Sequence, residues 1–148
     1  MASLFEETAR STILRRLDQL TPDATPRWGR MRPPEMLAHQ EETLRYALRE
    51  IDAAPVASPL AWPLVSWLGV HVMPWPKGKA QSPAEFLAGR CEDWEAKRTS
   101  LKGYIARFVA QGPAGDWPAS PVFGRLSGKS WGVLAWRHFD HHLKQFGV

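Results

Sequence analysis

Three of the five histidines of this chain, His138, His141 and His142, lie within five positions of one another. Residues four apart in an α-helix project from the same face, so His138 and His142 would point in one direction. Two imidazole rings arranged in this way can bind zinc or nickel, but a third ligand must come from elsewhere. Without such a ligand, the pair is better explained as buried or half-buried histidines that are satisfied by hydrogen bonds.

Three further candidates for chemistry are expected to have other roles. His141 lies about a quarter turn from His142, so we expect it not to be a ligand. Asp140 points away from the His138/His142 side of the helix, which favours a surface role over that of a base. Cys91 is expected to be a small core residue of the third helix, because buried thiols are usually inert.

Helical periodicity occurs four times along the sequence, and no segment shows convincing strand alternation. The predicted helices run from Ser3 to Leu20, from Pro33 to about Ala54, from Ser82 to about Gln111, and from Ser127 to about Gly147. Capping residues or prolines mark their beginnings, and prolines or glycines follow their ends.

The second predicted helix carries a candidate third ligand. Its polar arc contains Glu41 and Glu42. Glu35 and Glu42 are expected to be ordinary acids of the helix surface. His39 lies at the margin of the apolar arc, so it is near enough to the interior to face a groove. The periodicity alone does not require His39 to face inward.

Four helices of this length predict an all-α four-helix bundle that forms one domain over residues 1–148. The segment between Ala54 and Ser82 is much longer than a tight turn requires. It can therefore serve as a crossover between parallel neighbours in an up-down-down-up arrangement. Metal and ligand sites of such bundles are built between facing helices.

Composition excludes several classes of protein. The chain has 19 lysines and arginines against 15 acids, but the basic residues are scattered among the acids, which argues against a nucleic-acid interface. Cys91 is the only cysteine, so no internal disulfide can form, and a reduced cytoplasmic location is expected. The first residues form an acidic, amphipathic pattern that is not typical of a secretory signal.

Residues 58–76 contain Trp62, Trp67, Trp75 and four prolines. Because these prolines interrupt an apolar run that is already short for a bilayer, we expect no membrane span. Three alternatives are open for the segment. It can pack on the helices as a crossover cap, form the wall of a substrate pocket, or form a homodimer interface.

Three stretches, "RWGRMRPPEMLAHQ", "SPVFGRLSGKSW" and "WRHFDHHLKQFG", together resemble the DinB/YfiT-like superfamily, within it a branch of small bacterial proteins of undefined function. The resemblance implies an up-down-down-up four-helix bundle. It also implies a divalent metal held by one histidine of helix two and two of helix four, which correspond to His39, His138 and His142. Ser120 departs from the pattern, because this branch often has a histidine at that position.

Family members with known activity are thiol-dependent transferases or isomerases that use bacillithiol, mycothiol or glutathione. Three neutral histidines leave a position open on zinc or nickel, where water or a substrate thiolate can bind. The expected function is therefore that of a divalent-metal-dependent enzyme, a thiol-dependent transferase or a hydrolase, acting on a small molecule. The alternative is a DinB-like protein that binds a small ligand or a partner without turning it over.

Overall fold

The computed structural model describes residues 1–78 and 82–148, which are helical and contain no β-strand. The α-helices are α1 (Glu7–Gln19), α2 (Pro33–Ala47), α3 (Pro63–His71), α4 (Trp94–Gln111) and α5 (Gly128–Gln145). Two short 3-10 helices span Pro59–Ala61 and Ala84–Leu87. The predicted all-α class is confirmed, whereas several helix boundaries differ from those expected.

Helix α1 begins at Glu7, four residues after the predicted start. The hydroxyl of Ser3 accepts a hydrogen bond from the backbone N–H of Phe5 at 3.2 Å, so it caps a turn and not the helix. The N–H of Leu4 donates to the carbonyl of Gly132 at 3.1 Å. This contact holds the first residues against α5, where a side chain at position 132 would collide with Ser3 and Phe5.

Helix α2 ends at Ala47, and the predicted end at Ala54 is wrong. The N–H of Glu50 donates to the carbonyl of Arg45 at 2.8 Å, and that of Arg49 donates to Tyr46 at 2.9 Å. These two bonds form a Schellman motif, in which Arg49 takes the left-handed conformation (φ 60°) that glycine usually adopts. No glycine marks this end, so the sequence carries no local signal for it.

The predicted third helix is interrupted. A 3-10 turn at Ala84–Leu87 is followed by an irregular segment, and α4 begins at Trp94. The Asp93 carboxylate caps α4 by accepting a hydrogen bond from the N–H of Ala96 at 2.8 Å. Cys91 lies in the irregular segment and is half-buried, so its predicted place within a helix is wrong.

The irregular segment covers the polar side of α2. A β-carbon at Gly89 would lie 2.9 Å from Cγ of Glu42, which shows how closely the two segments approach. Glu41 and Glu42 are consequently buried. For Glu42 this is contrary to the expectation of a surface acid, whereas Glu35 is exposed as expected. Lys97 of α4 donates to Glu41 at 2.8 Å and compensates its charge.

The relative directions of the longer helices follow from their contacts. Contacts of α1 and the residues just before it with α5 advance in the same direction along both segments. The same is true of contacts of α2 and the residues just after it with α4. Contacts of the α1 segment with α4 advance in opposite directions. The contacts are Leu4–Gly132 and Arg16–Asp140, Glu41–Lys97 and Glu50–Tyr104, and Phe5–Phe108 and Asp18–Lys102. The core between these helices includes the fully buried side chains Ile13, Leu17, Leu37, Leu101, Phe108, Phe139 and Leu143.

The crossover segment contains helix α3, which packs on α5. The Arg137 guanidinium donates to the carbonyl oxygens of Gly69 at 3.2 Å and Val70 at 2.7 Å, near the carboxyl end of α3. Cationic donors are favoured at this end because its carbonyls are unpaired and carry partial negative charge. Neither α3 nor any other helix of the described residues is long and apolar enough to cross a membrane.

Candidate metal centre

The three histidines expected to form a metal site lie together between α2 and α5. The Nε2 atom of His138 is 3.0 Å from Nε2 of His39 and 3.1 Å from Nε2 of His142. One ring nitrogen from each histidine lies within 4.8 Å of the other two. His39 is buried, and His138 and His142 are half-buried.

Local structure explains why these rings meet. Ser127 caps α5 by accepting from the N–H of Ser130, so the regular helix places His138 and His142 on one face. The side-chain amide of Gln40 donates to the carbonyl of His138 at 3.2 Å and links α2 to α5 at this level. His39 faces the interior, whereas its position at the margin of the apolar arc was compatible with either direction.

His39 is oriented by a backbone carbonyl. Its Nδ1 atom lies 3.0 Å from the carbonyl oxygen of Phe86, which can only accept, so Nδ1 carries the proton and Nε2 presents a lone pair. Phe86 belongs to the 3-10 turn that interrupts the predicted third helix. In a continuous α-helix that carbonyl would bind the N–H four residues later, so the interruption frees it for His39.

His142 is oriented by a side-chain amide. Its Nδ1 atom is 3.0 Å from Oε1 of Gln145, whose Nε2 donates to the carbonyl of Trp28 at 2.8 Å. The second bond fixes which end of the amide is the oxygen, so Nδ1 of His142 must be the donor. The Nε2 atom of His142 therefore also presents a lone pair to the cluster.

These tautomers leave the cluster short of protons. Two lone pairs, from His39 and His142, face Nε2 of His138, which can carry one proton and donate it to only one of them. A cation at the centre would satisfy all three nitrogens. Ligand nitrogens of a tetrahedral zinc site lie about 3.3 Å apart at the usual zinc–nitrogen distance, close to the two separations seen here.

The electrostatics of the cluster keep its rings neutral. Burial lowers the pKa of His39. Burial is the main reason that the pKa of His138 lies well below 6.5. Repulsion from any proton gained by His142, His39 or His141 lowers this pKa further. Burial and the charge of His39 lower the pKa of His142 to about 3. Neutral imidazoles are the form in which histidine binds a metal, so the residues present fit a divalent ion.

His141 lies beside the cluster without belonging to it. Its ring packs edge-on against Trp28 at a centroid distance of 5.6 Å and lies 6.0 Å from Trp75. The expectation that His141 is not a ligand is consistent with this position and stays a prediction. Asp140 points elsewhere, as expected, and accepts a hydrogen bond from Arg16 at 2.8 Å.

A cavity of about 730 Å³ extends from the histidines. Trp75 forms part of its wall, with its ring centroid 5.9 Å from that of His138. The indole N–H of Trp75 donates a hydrogen bond to the Gly69 carbonyl at 2.9 Å, which holds the ring in place. Leu60 and Met73 of the crossover segment also line the cavity. The segment therefore contributes to the pocket wall, one of the three alternatives open from the sequence.

Ser120 and His71, two further polar residues noted in the sequence, make hydrogen bonds outside the histidine cluster. Ser120 is buried, and its hydroxyl accepts from the N–H groups of Val122 and Phe123, at 3.3 and 3.1 Å, within the turn that precedes α5. His71 lies apart from the cluster, with Nε2 3.1 Å from the hydroxyl of Ser130.

Sequence reasoning missed the residues that orient the cluster. Gln145 follows His142 by three positions, a spacing at which helical side chains meet, so this partner had a local signal. Phe86 acts through its backbone, and its side chain carries no sign of that role. Trp75 was expected as part of a segment for which a pocket wall was one of three alternatives, and its place beside His138 was not predicted.

Comparisons with models of known families, with curated proteins and with solved structures found no match for this chain.

Proposed function

We propose that His39, His138 and His142 hold one divalent metal ion, zinc or nickel, in an open site. The observation that carries this proposal is the convergence of three ring nitrogens, two of which have lone pairs fixed by hydrogen bonds at Nδ1. Partners of this kind, which orient the ring through its second nitrogen, are typical of metal-binding histidines.

We further propose that α1, α2, α4 and α5 form an up-down-down-up four-helix bundle of the DinB-like type. The parallel pairs α1/α5 and α2/α4 and the antiparallel pair α1/α4 support this topology. The resemblance of the three sequence stretches to that superfamily supports it independently.

The site is best suited to a metal-dependent enzyme that acts on a small molecule, with thiol transfer or hydrolysis as the reaction. A bound divalent ion would supply Lewis acidity and lower the pKa of a ligand at its open position. The chain's own contribution is to hold the three rings together, to orient those of His39 and His142 through Phe86 and Gln145, and to place the indole of Trp75 beside His138.

A binding protein without catalytic activity is the second candidate. Among the described residues that line the cavity there is no aspartate or glutamate, so no carboxylate is placed there to act as a base. A cavity of this size lined by apolar side chains is also typical of proteins that only bind small ligands.

Metal analysis of protein purified without a histidine tag tests the site. We expect about one equivalent of zinc or nickel in the wild type and none in the His39→Ala/His142→Ala double variant, with a lower melting temperature on loss of metal. His141→Gln is the matched control, because it changes an adjacent histidine outside the cluster, and it should retain the metal. Full metal affinity in the double variant would contradict the assignment.

Catalysis is tested separately by assaying the metal-loaded protein for transfer of small thiols to electrophiles and for hydrolysis of small esters and amides. Turnover that is lost in the double variant and kept in His141→Gln would support the enzyme. Ligand binding without turnover in either assay would favour the binding protein.

A further inference from the structure

The cavity beside the histidine cluster has an unusual distribution of charge. Of the described residues that line it, Arg30 is the only lysine or arginine, and none is an acid. The other ionisable side chains of the described lining are histidines. A ligand that carries a positive charge would therefore find no carboxylate partner within this wall.

Most of the remaining lining is apolar and contains several aromatic rings, with a few neutral polar residues such as Gln40, Thr43 and Ser120 among them. Met31, Trp75, Phe86, Val122 and Phe123 are among the side chains that face the cavity. Moving a charged group from water into such surroundings without a partner is costly, whereas each buried methylene is favourable. At about 730 Å³, the cavity is large enough for a drug-sized molecule.

The histidine cluster forms part of the wall of this cavity, since His39, His138 and His142 all belong to its lining. A molecule that reaches an ion held there would place one coordinating group at the cluster and its remaining atoms against the apolar wall. The polar and apolar requirements are thus separated along the length of the ligand.

We propose that the ligand of this cavity is a largely apolar molecule with a single metal-coordinating head group and an uncharged body, and that the cavity selects against bodies that carry a positive charge. This inference rests on the proposed metal site and narrows its substrate class. A thiol whose body carries an ammonium group, such as glutathione, would leave that charge without a carboxylate partner among the described lining residues.

Hydroxamates of matched shape test the proposal, because the hydroxamate group binds open zinc or nickel sites and the tail can be varied independently. Zinc-loaded protein is titrated calorimetrically with acetohydroxamate, heptanohydroxamate and 6-aminohexanohydroxamate. The last two have tails of equal length that differ by a terminal methyl or ammonium group. Affinity should rise about fourfold per buried methylene, so heptanohydroxamate should bind at least about a hundredfold more tightly than acetohydroxamate.

The ammonium analogue should lose most of that gain and bind within about tenfold of acetohydroxamate, because its charge has no partner in the wall. Equal affinities for the heptanoyl and aminohexanoyl probes would overturn the proposal. So would an affinity that does not depend on tail length.

Substitutions at two adjacent positions test whether the cavity lining causes the preference for an uncharged tail over a positively charged one. Met73 lines the cavity and Val72 does not, and both side chains are about half exposed, at 47% and 58%, so each position tolerates a charge. Met73→Glu should reduce the ratio of the affinity for heptanohydroxamate to that for 6-aminohexanohydroxamate at least threefold. Val72→Glu should leave this ratio unchanged. Equal changes in both variants would show that the lining does not set the preference.

The result separates this inference from the proposed function. Protein that takes up no zinc contradicts the metal site itself. Protein that takes up zinc and binds short and long, neutral and charged hydroxamates equally well retains the metal site and loses the apolar ligand.

Discussion

Gln145 shows how one side chain can determine both the tautomer and the direction of a histidine. Its oxygen accepts from Nδ1 of His142 while its amide nitrogen is anchored on the Trp28 carbonyl, and the whole side chain is buried. Without this acceptor, His142 could carry its proton on Nε2, where it would point into the cluster and oppose a metal ion.

Gln145→Leu is therefore expected to weaken metal binding without removing a ligand. We expect a loss of about 10-fold to 100-fold in zinc affinity, the usual effect of removing the hydrogen-bond partner of a ligand histidine. Competition with a chromophoric chelator measures the affinity directly. Gln19→Leu, at an exposed position in the last turn of α1, is the matched control.

Gln145→Glu tests whether Gln145 acts by orienting the His142 ring or only by filling space in the core. A carboxylate can still accept from Nδ1 of His142, so affinity should recover in this variant relative to leucine, although the bond to Trp28 is lost. Equal losses with leucine and glutamate would assign Gln145 a purely structural role.

Between elements, Glu50 joins the end of α2 to α4. Its carboxylate accepts from the hydroxyl of Tyr104 at 2.8 Å and from the guanidinium of Arg107, and it lies 3.6 Å from Arg45. Burial alone raises the pKa of Glu50, but the hydrogen bonds from Arg107 and Tyr104 and the nearby positive charges outweigh it. The pKa is consequently lower than the usual 4.5.

A lowered pKa makes this contribution to stability depend on pH. The folded state holds the Glu50 proton less tightly than the unfolded state, so the stabilisation is complete above the unfolded value near 4.5 and is lost as pH falls through the lower folded value. Glu50→Gln should reduce the free energy of unfolding by about 1 kcal/mol at pH 7.

Urea denaturation of both proteins between pH 7 and pH 3 measures this difference, which should shrink toward zero at the acidic end. The exposed Glu92→Gln is the control and should show little effect at any pH. A Glu50→Gln effect that is constant with pH would mean that the carboxylate charge is not responsible.

Helix α3 is the element that brings the crossover segment to the site. Arg137 precedes His138 in α5 and holds the end of α3 through two carbonyls, and its guanidinium lies 5.3 Å from the centre of the Trp75 ring. One residue of α5 thus supplies a candidate ligand, and the residue before it positions the indole that covers that ligand.

At the scale of the whole molecule, the outer side of α3 is an exposed apolar surface. Trp62, Leu64 and Trp67 are 68%, 71% and 54% exposed, and no charged residue occurs between positions 55 and 76. Interfaces of homodimers are enriched in aromatic residues and depleted of charge, so we predict a homodimer through this surface, which was one of the three alternatives open from the sequence.

Light scattering should give the mass of a dimer for the wild type and of a monomer for Trp62→Ser/Trp67→Ser. Neither tryptophan lines the cavity, so the variant should bind metal and heptanohydroxamate as the wild type does. A wild-type monomer at high micromolar concentration would exclude a stable dimer.

The sequence by itself determined the helical class, the approximate extent of α5 and the shared face of His138 and His142. These features follow from short-range rules, because apolar periodicity, capping residues and i, i+4 spacing act within a few turns of one helix. The position of His39 was indicated by resemblance, since its place on the helix margin was compatible with either direction.

Tertiary structure decided the rest. The break between Leu87 and Trp94 depends on the packing of Gly89 against Glu42, and it releases the Phe86 carbonyl for His39. The 3.0 Å approach of His39 to His138 joins residues 99 positions apart in the chain. Such contacts depend on how the faces of separate helices pack together, and no local pattern of residues specifies that packing.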